Sequence, residues 1–309
     1  MNTVDLFCGC GGLSLGFQKA GYNILAAYDN WDEAIELYRR NFTHPIYKQD
    51  LKDVETTSKI VAALNPDIII GGPPCQDFSS AGNRDEDNGR GILTVCYAQI
   101  VANVRPNWFV MENVEQIVGT NKLKEARQIY KESGYALTQM VLDASLCGVP
   151  QKRKRFFLIG KLGEKDDFIK EHLIANLSNH PMTIREYVGD SWGIDYYYRH
   201  PRSYARRGVF SMDEPSPTVR GVNRPIPNGY QLHPGDPVNS LNGIRCLTTK
   251  ERSIIQTFPP EYILEGSKTN LEQMIGNAVP VNLAKYVGNA ILEYIDNPNK
   301  YSPKQLSLF

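Results

Sequence analysis

Apolar positions along the chain follow two rhythms. In the first half, short unbroken apolar runs end at a glycine or an acid. They alternate with longer segments whose apolar residues recur every three or four positions. Residues 2–7 read as a strand, followed by a glycine-rich turn and a helix to about residue 20. Residues 22–28 form a second strand-like run, and residues 31–41 an amphipathic helix. A helix-like stretch near 58–64 precedes the run Ile68-Ile69-Ile70, and 108–111 and 156–160 are further short apolar strands. Apolar strands alternating with helices predict an α/β fold, a doubly wound, mostly parallel, Rossmann-like sheet covered on both faces.

The rhythm is lost near residue 183. From there to about residue 245, Pro, Gly, Asn, Tyr and Arg dominate, which predicts a smaller, loop- and strand-rich unit. Helical spacing returns at 248–257 and 282–295, and the tail from 297 to 309 carries Pro298 and Pro303. The expected division is a catalytic and cofactor-binding domain over 1–182 and 273–296, a target recognition domain over 183–272, and a flexible tail over 297–309.

Composition narrows the picture only slightly. A length of 309 residues suits about two domains. Formal net charge is zero, which argues against coating nucleic acid by bulk charge but leaves room for one local basic face. No apolar run approaches the roughly 18 residues of a membrane helix, and no leader-like segment opens the chain, so a cytoplasmic location is expected. The six cysteines show neither CxxC nor zinc-finger spacing, so no metal site and no disulfide framework are expected.

Candidate chemistry collects where the strands end. After the first strand, Gly9, Gly11 and Gly12 permit a tight turn and close approach to a ligand, although Ser14 stands where a dinucleotide fingerprint has its third glycine. Asp29 ends the second strand and Asp50 follows the next segment. Each acid alone suits a helix cap or a solvated loop; together with the turn they suggest a nucleoside-containing cofactor at the carboxyl ends of the strands. The stretch GGPPCQ, residues 71–76, holds Cys75 in a proline-stiffened turn just past an apolar run. It reads either as a packed thiol or as a nucleophile, which a helix starting after it would help ionise. Glu112 and Asn113 close the next strand, either as the start of a helix or as a carboxylate aimed at a substrate. In QKRKR, residues 151–155, an extended backbone places Arg153 and Arg155 on one face and Lys152 and Lys154 on the other.

Taken in order, DLFCGCGG, Asp29, Asp50, GGPPCQDFS, ENV at 112–114, QKRKR and GNAVP at 276–280 resemble the DNA (cytosine-5) methyltransferases of the bacterial modification type. The likeness spans nearly the whole chain. It implies a methyl transfer from S-adenosylmethionine to carbon 5 of a cytosine flipped out of duplex DNA, through a covalent cysteine adduct, in a restriction-modification setting. By the same likeness Cys75 is the nucleophile, Glu112 hydrogen-bonds the base, Arg155 contacts its carbonyl and Arg153 supports the catalytic loop. Phe7, Gly9, Gly11, Gly12, Asp29, Asn30, Asp50 and Asn277 line the cofactor, with Asp29 on the ribose and Asp50 on the adenine amine. Asn30 stands where some relatives carry an aromatic that stacks on adenine, and Ala278 replaces a serine of other members. Gln76 and Ser79 belong to a loop that closes over DNA.

The run YYYRHPRSYARRG, residues 196–208, interleaves tyrosines with Arg199, Arg202, Arg206 and Arg207, the expected DNA-contacting residues. Thr218 and Arg220, in EPSPTVRG, fall in a segment that supports this domain in the family. Gln305, Leu306, Leu308 and Phe309 resemble the pentapeptide that bacterial replication proteins insert into the sliding clamp. The expected partners are therefore double-stranded DNA and the clamp, with the enzyme itself a monomer in the cytoplasm and on the nucleoid when in use. Two alternatives stay open: a cytosine-5 methyltransferase acting on RNA, and a non-catalytic DNA-binding regulator. A nicotinamide dehydrogenase is disfavoured by the missing third glycine and by the thiol.

Overall fold

The computed structural model describes residues 1–74, 91–203 and 205–301. Cys75, Gln76 and Ser79 lie outside the described residues, as do Gln305, Leu306, Leu308 and Phe309.

Eight strands are described before residue 163: β1 (Asn2–Leu6), β2 (Asn23–Asp29), β3 (Ile46–Lys48), β4 (Ile68–Gly71), β5 (Trp108–Val114), β6 (Tyr135–Asp143), β7 (Gln151–Lys152) and β8 (Lys154–Leu162). Seven of them form one sheet in the order β3-β2-β1-β4-β5-β8-β6. The pairs from β3 to β5 are parallel, while β8 runs antiparallel to both β5 and β6. The doubly wound α/β fold expected from the apolar rhythm is present.

Ten helices are described: α1 (Gly12–Lys19), α2 (Asp32–Asn41), α3 (Val54–Ala62), α4 (Ile92–Val104), α5 (Asn121–Glu132), α6 (Lys170–Ala175), α7 (Ile184–Val188), α8 (Thr249–Ile255), α9 (Lys268–Asn277) and α10 (Val281–Asp296). They cover both faces of the sheet, which is why β4 is apolar at every position. Ile68 and Ile70 pack with Phe17, Leu283 and Val287 on one side. Ile69 packs with Tyr97, Ile100 and Val101 on the other. The side-chain period of two sends alternate residues to opposite cores. None of these helices is long and apolar enough to cross a membrane.

The second unit is built from short pieces. β9 (Tyr196–Tyr198) lies between β10 (Val209–Ser211) and the two-residue β12 (Arg245–Cys246). Its own cluster includes Ile184, Tyr197, Phe210, Val219 and Leu247. Capping boxes start its helices: Thr183 with Glu186 at α7, and Thr248 with Glu251 at α8. β11 (Ser216–Pro217) leaves this unit and pairs in parallel with β7, just before Arg153 and Arg155.

The first helix and α10 close on each other around the first turn. α1 packs against α10, and the Val279 carbonyl sits directly over Gly12, where a Cβ would come within 2.2 Å of its oxygen. Gly9 is different: its φ is +53°, and a Cβ there would meet nothing within 4 Å. Gly12→Ala is therefore expected to cost roughly 2 kcal/mol or more by forcing backbone apart. Gly9→Ala should cost about 1 kcal/mol from conformation alone. Urea unfolding of the two variants checks this, and equal shifts would contradict the close approach at Gly12.

Candidate active site

Five chain segments meet at one edge of the sheet. β1, β2, β4 and β5 all end there because they are parallel, and β8 begins there because it is antiparallel to β5. Sequence order reverses between β1 and β4, the point at which an open α/β sheet leaves a crevice for a ligand.

The glycine turn occupies the β1 side of that crevice. Phe7 has φ +59°, unusual for a residue with a side chain, and Gly9 and Gly11 follow in the same left-handed region. Asp29, at the end of β2, holds the turn: Oδ2 accepts from the Gly9 N–H at 2.8 Å. Its Oδ1 accepts from the N–H groups of Asn30 and Trp31 at 2.8 and 2.9 Å. Asn30 is exposed, and the aromatic absent from that position stands one residue later as half-buried Trp31. Asp50 is exposed, its Oδ1 accepting from Lys52 N–H at 3.1 Å. Asn277, exposed at the end of α9, accepts from Gln273 Nε2 at 3.0 Å. Gly11 and Gly12 are filled against protein, by Phe42 and Val279, so Gly9 is the glycine that leaves open space for a ligand.

Beneath the turn runs a buried polar chain. Ser14 donates to Asp5 Oδ2 at 2.6 Å, Tyr38 donates to Ser14 at 2.6 Å, and Tyr38 and His44 Nε2 share a bond of 2.6 Å. Burial pushes the Asp5 carboxyl up to about 7, with the Ser14 bond pulling the other way. Burial also lowers His44 to about 4, which keeps its ring neutral. Asp5 Oδ1 is buried and has no hydrogen-bond partner among the described residues.

On the β5 side, Glu112 is buried and its Oε1 accepts from Arg155 Nε at 3.0 Å. Burial raises the Glu112 carboxyl above the usual range, and the positive charges of Arg155 and Arg153 partly offset this. The expected alternation in QKRKR is present: Arg153 is buried and Arg155 half-buried, while Lys152 and Lys154 are exposed. Arg153 Nη1 donates to Val219 O at 3.0 Å, and Nη2 donates to Gly276 O at 2.8 Å and Ala278 O at 3.0 Å.

Two residues contribute more than their motifs announced. Asn113 Nδ2 donates to the Pro73 carbonyl at 3.2 Å, which ties the end of β5 to the prolines preceding Cys75. Gln151, fully buried, accepts from Val219 N–H and donates to Gln256. In sequence each stood inside a motif, ENV and QKRKR, but nothing there named the partner it would bind.

Of the expected DNA-contacting arginines, Arg202 and Arg206 are exposed. Arg199 donates to Thr218 O at 2.7 Å, and Arg207 stacks on Phe210 and pairs with Glu214.

Comparisons with known proteins cover this whole arrangement. Residues 1–293 match the family model described as C-5 cytosine-specific DNA methylase. The Type II methyltransferase M.HindV of Haemophilus influenzae is 56% identical over 96% of this chain and 98% of its own length. M.HgiDI of Herpetosiphon aurantiacus, another Type II methyltransferase, is 51% identical over 100% of this chain and 98% of its own. Among solved structures, the S. pombe Dnmt2 methyltransferase superposes with a TM-score of 0.71 at 18% identity, over 96% of this chain and 99% of that one, a likeness of fold.

The Asp5 chain has a consequence for stability. Its carboxyl is harder to ionise folded than unfolded, where it titrates near about 3.9. The stability it confers is thus full below that pH and declines as pH rises through about 7. Asp5→Asn does not titrate, so its stability relative to the parent chain should improve steadily from about pH 4 to about pH 8. A difference that stays flat in denaturant titrations across that range would refute the assignment.

Proposed function

The chain belongs to the C-5 cytosine-specific DNA methylase family, and on that premise we propose how its residues carry out the reaction. It is a DNA (cytosine-5)-methyltransferase of the Type II restriction-modification kind. The observation that carries the mechanistic reading is the buried Glu112–Arg155 pair at the strand edge where Asn113 holds Pro73, two residues before Cys75.

The substrate is a cytosine turned out of duplex DNA, because carbon 6 and carbon 5 are inaccessible in the stack. The Cys75 thiolate adds to carbon 6, forming a C–S bond and pushing electron density toward carbon 5. Glu112, whose burial favours its protonated form, donates to ring nitrogen 3 and so stabilises the charge that develops there. Arg155 holds Glu112 in place and reaches the base carbonyl. S-adenosylmethionine supplies the methyl group for carbon 5. Loss of the carbon 5 proton to a water molecule then restores the double bond and expels the thiolate, and nitrogen 3 returns its proton to Glu112.

The cofactor fits the β1 side of the crevice. Gly9 leaves open space, Asp29 lies beside it for ribose hydroxyls, and Trp31 offers the aromatic face that Asn30 does not. Phe7, Asp50 and Asn277 complete the proposed set.

Cys75→Ala should lower methyl transfer to a duplex by about a thousandfold or more while S-adenosylmethionine still binds in calorimetry. Near-normal turnover would overturn the mechanism, and transfer to RNA but not to duplex DNA would overturn the substrate. Asn113→Ala releases the Pro73 carbonyl. It should reduce kcat by about tenfold or more through misplacement of the thiol, with cofactor affinity little changed. An unaltered kcat would show that the Asn113–Pro73 bond does not position the nucleophile.

A further inference from the structure

The chain carries no net charge, yet residues 196–224 hold six arginines against two carboxylates. Both carboxylates are engaged: Asp213 Oδ1 accepts from Arg185 Nε at 2.5 Å, and Glu214 pairs with Arg207. Arg199 is turned inward onto the Thr218 carbonyl, and Arg220 donates to the His200 carbonyl. Those two bonds clamp residues 199–202 beside residues 218–224.

The result is a gathering of like charge. Burial lowers Arg220's hold on its proton, and the charges acting on it in the same direction are Arg202, Arg252 and Arg224. Arg252 has a counterion, Glu272, at 2.8 Å. Arg202 and Arg224 are exposed. Between Arg220 and Arg224, Val222 is 51% exposed, an apolar tip in a cationic rim. Cations held together at an exposed surface repel one another, and a polyanion relieves that repulsion.

We propose that Arg202, Arg220 and Arg224 form a seat for backbone phosphates of the DNA duplex, around an exposed Val222. The proposal rests on the DNA-methylation reading and adds Arg220 and Arg224 to the arginines expected from the tyrosine-rich run. The seat is built firmly onto the catalytic side. The Val219 carbonyl accepts from Arg153, and a Cβ on Gly276 would lie 2.2 Å from Gly221 N, so the loop's root is packed against the end of α9. A phosphate held here is thereby held at a fixed distance from Glu112.

The test is the salt dependence of duplex binding by the full chain, read by fluorescence anisotropy on short duplexes of two unrelated sequences. Arg224→Ala should make the slope of log K against log salt shallower by about 1 and weaken both duplexes about fivefold at about 0.15 M salt. Arg224→Lys should keep the slope, because a phosphate accepts a point charge. Lys59→Ala, which removes an exposed cation paired with Glu55 on α3, should also leave it unaltered. An unchanged slope in Arg224→Ala would overturn the seat. So would a loss confined to one sequence that lysine fails to restore, the mark of a guanine contact. Should the parent chain bind duplex with the expected slopes yet never methylate it, the reading of the reaction fails and the seat stands.

Discussion

A single buried guanidinium joins the parts of this enzyme. Arg153 is almost wholly removed from solvent and donates to three backbone carbonyls, those of Val219, Gly276 and Ala278. A charge in that position is costly unless its surroundings are polar and fixed. Here the carbonyls supply fixed dipoles, and Glu112 adds an attraction that favours the charged form. The three carbonyls belong to the segment below the recognition loop and to the motif that closes over the glycine turn. The residue itself sits two positions from Arg155. Glu112, the segment over the glycine turn and the loop that begins at Val219 therefore share one joint. Its geometry is reinforced by the parallel pairing of β11 with β7 and by the Gln151–Gln256 bond.

Glu112 shows how that joint serves chemistry. Burial alone would make it a strongly protonated acid, and the arginines alone would keep it ionised. The net result is a carboxyl raised above its usual range, and under the proposed mechanism that favours the protonated form from which it lends a proton to a base nitrogen. Its partner is fixed by topology. Because β8 runs antiparallel beside β5, Arg155 at its start lies opposite Val114, one strand away from the carboxylate.

Much of the catalytic unit was legible because its signals are local. The apolar runs became β1, β2, β4, β5 and β8, and the amphipathic stretch before residue 42 became α2, with Ala34, Ile35, Leu37 and Tyr38 on its buried face. Other elements were hidden. α4 is apolar on most of its surface, with Leu93, Val95, Tyr97, Ile100 and Val101 all buried and Gln99 and Asn103 exposed, so its polar stripe is too narrow to mark a surface helix. β6 is buried over its first four residues and mixed afterwards, and its place beyond β8 depends on pairing that no single segment encodes. At the site, the alternating arginines were readable from period-two spacing, and Glu112 from its place at the end of an apolar run. The contacts of Asn113 with Pro73 and of Arg153 with Gly276 were not, since they depend on where distant backbone carbonyls come to rest.

The closure of α10 over α1 also bears on how the molecule comes into being. The Cys10 thiol donates to the Met274 carbonyl across 264 residues of chain, and Tyr22 donates to the Gly288 carbonyl across 266. A nascent chain emerging from the ribosome therefore exposes its glycine turn long before the segment that roofs it has been translated. Contacts so far apart in sequence form slowly and late. The first strands and helices can condense early, but a cofactor crevice with its far wall in place exists only once synthesis has passed residue 279. For an enzyme that marks DNA, this order of assembly ties the walls of the crevice to segments 264 and 266 residues apart in synthesis.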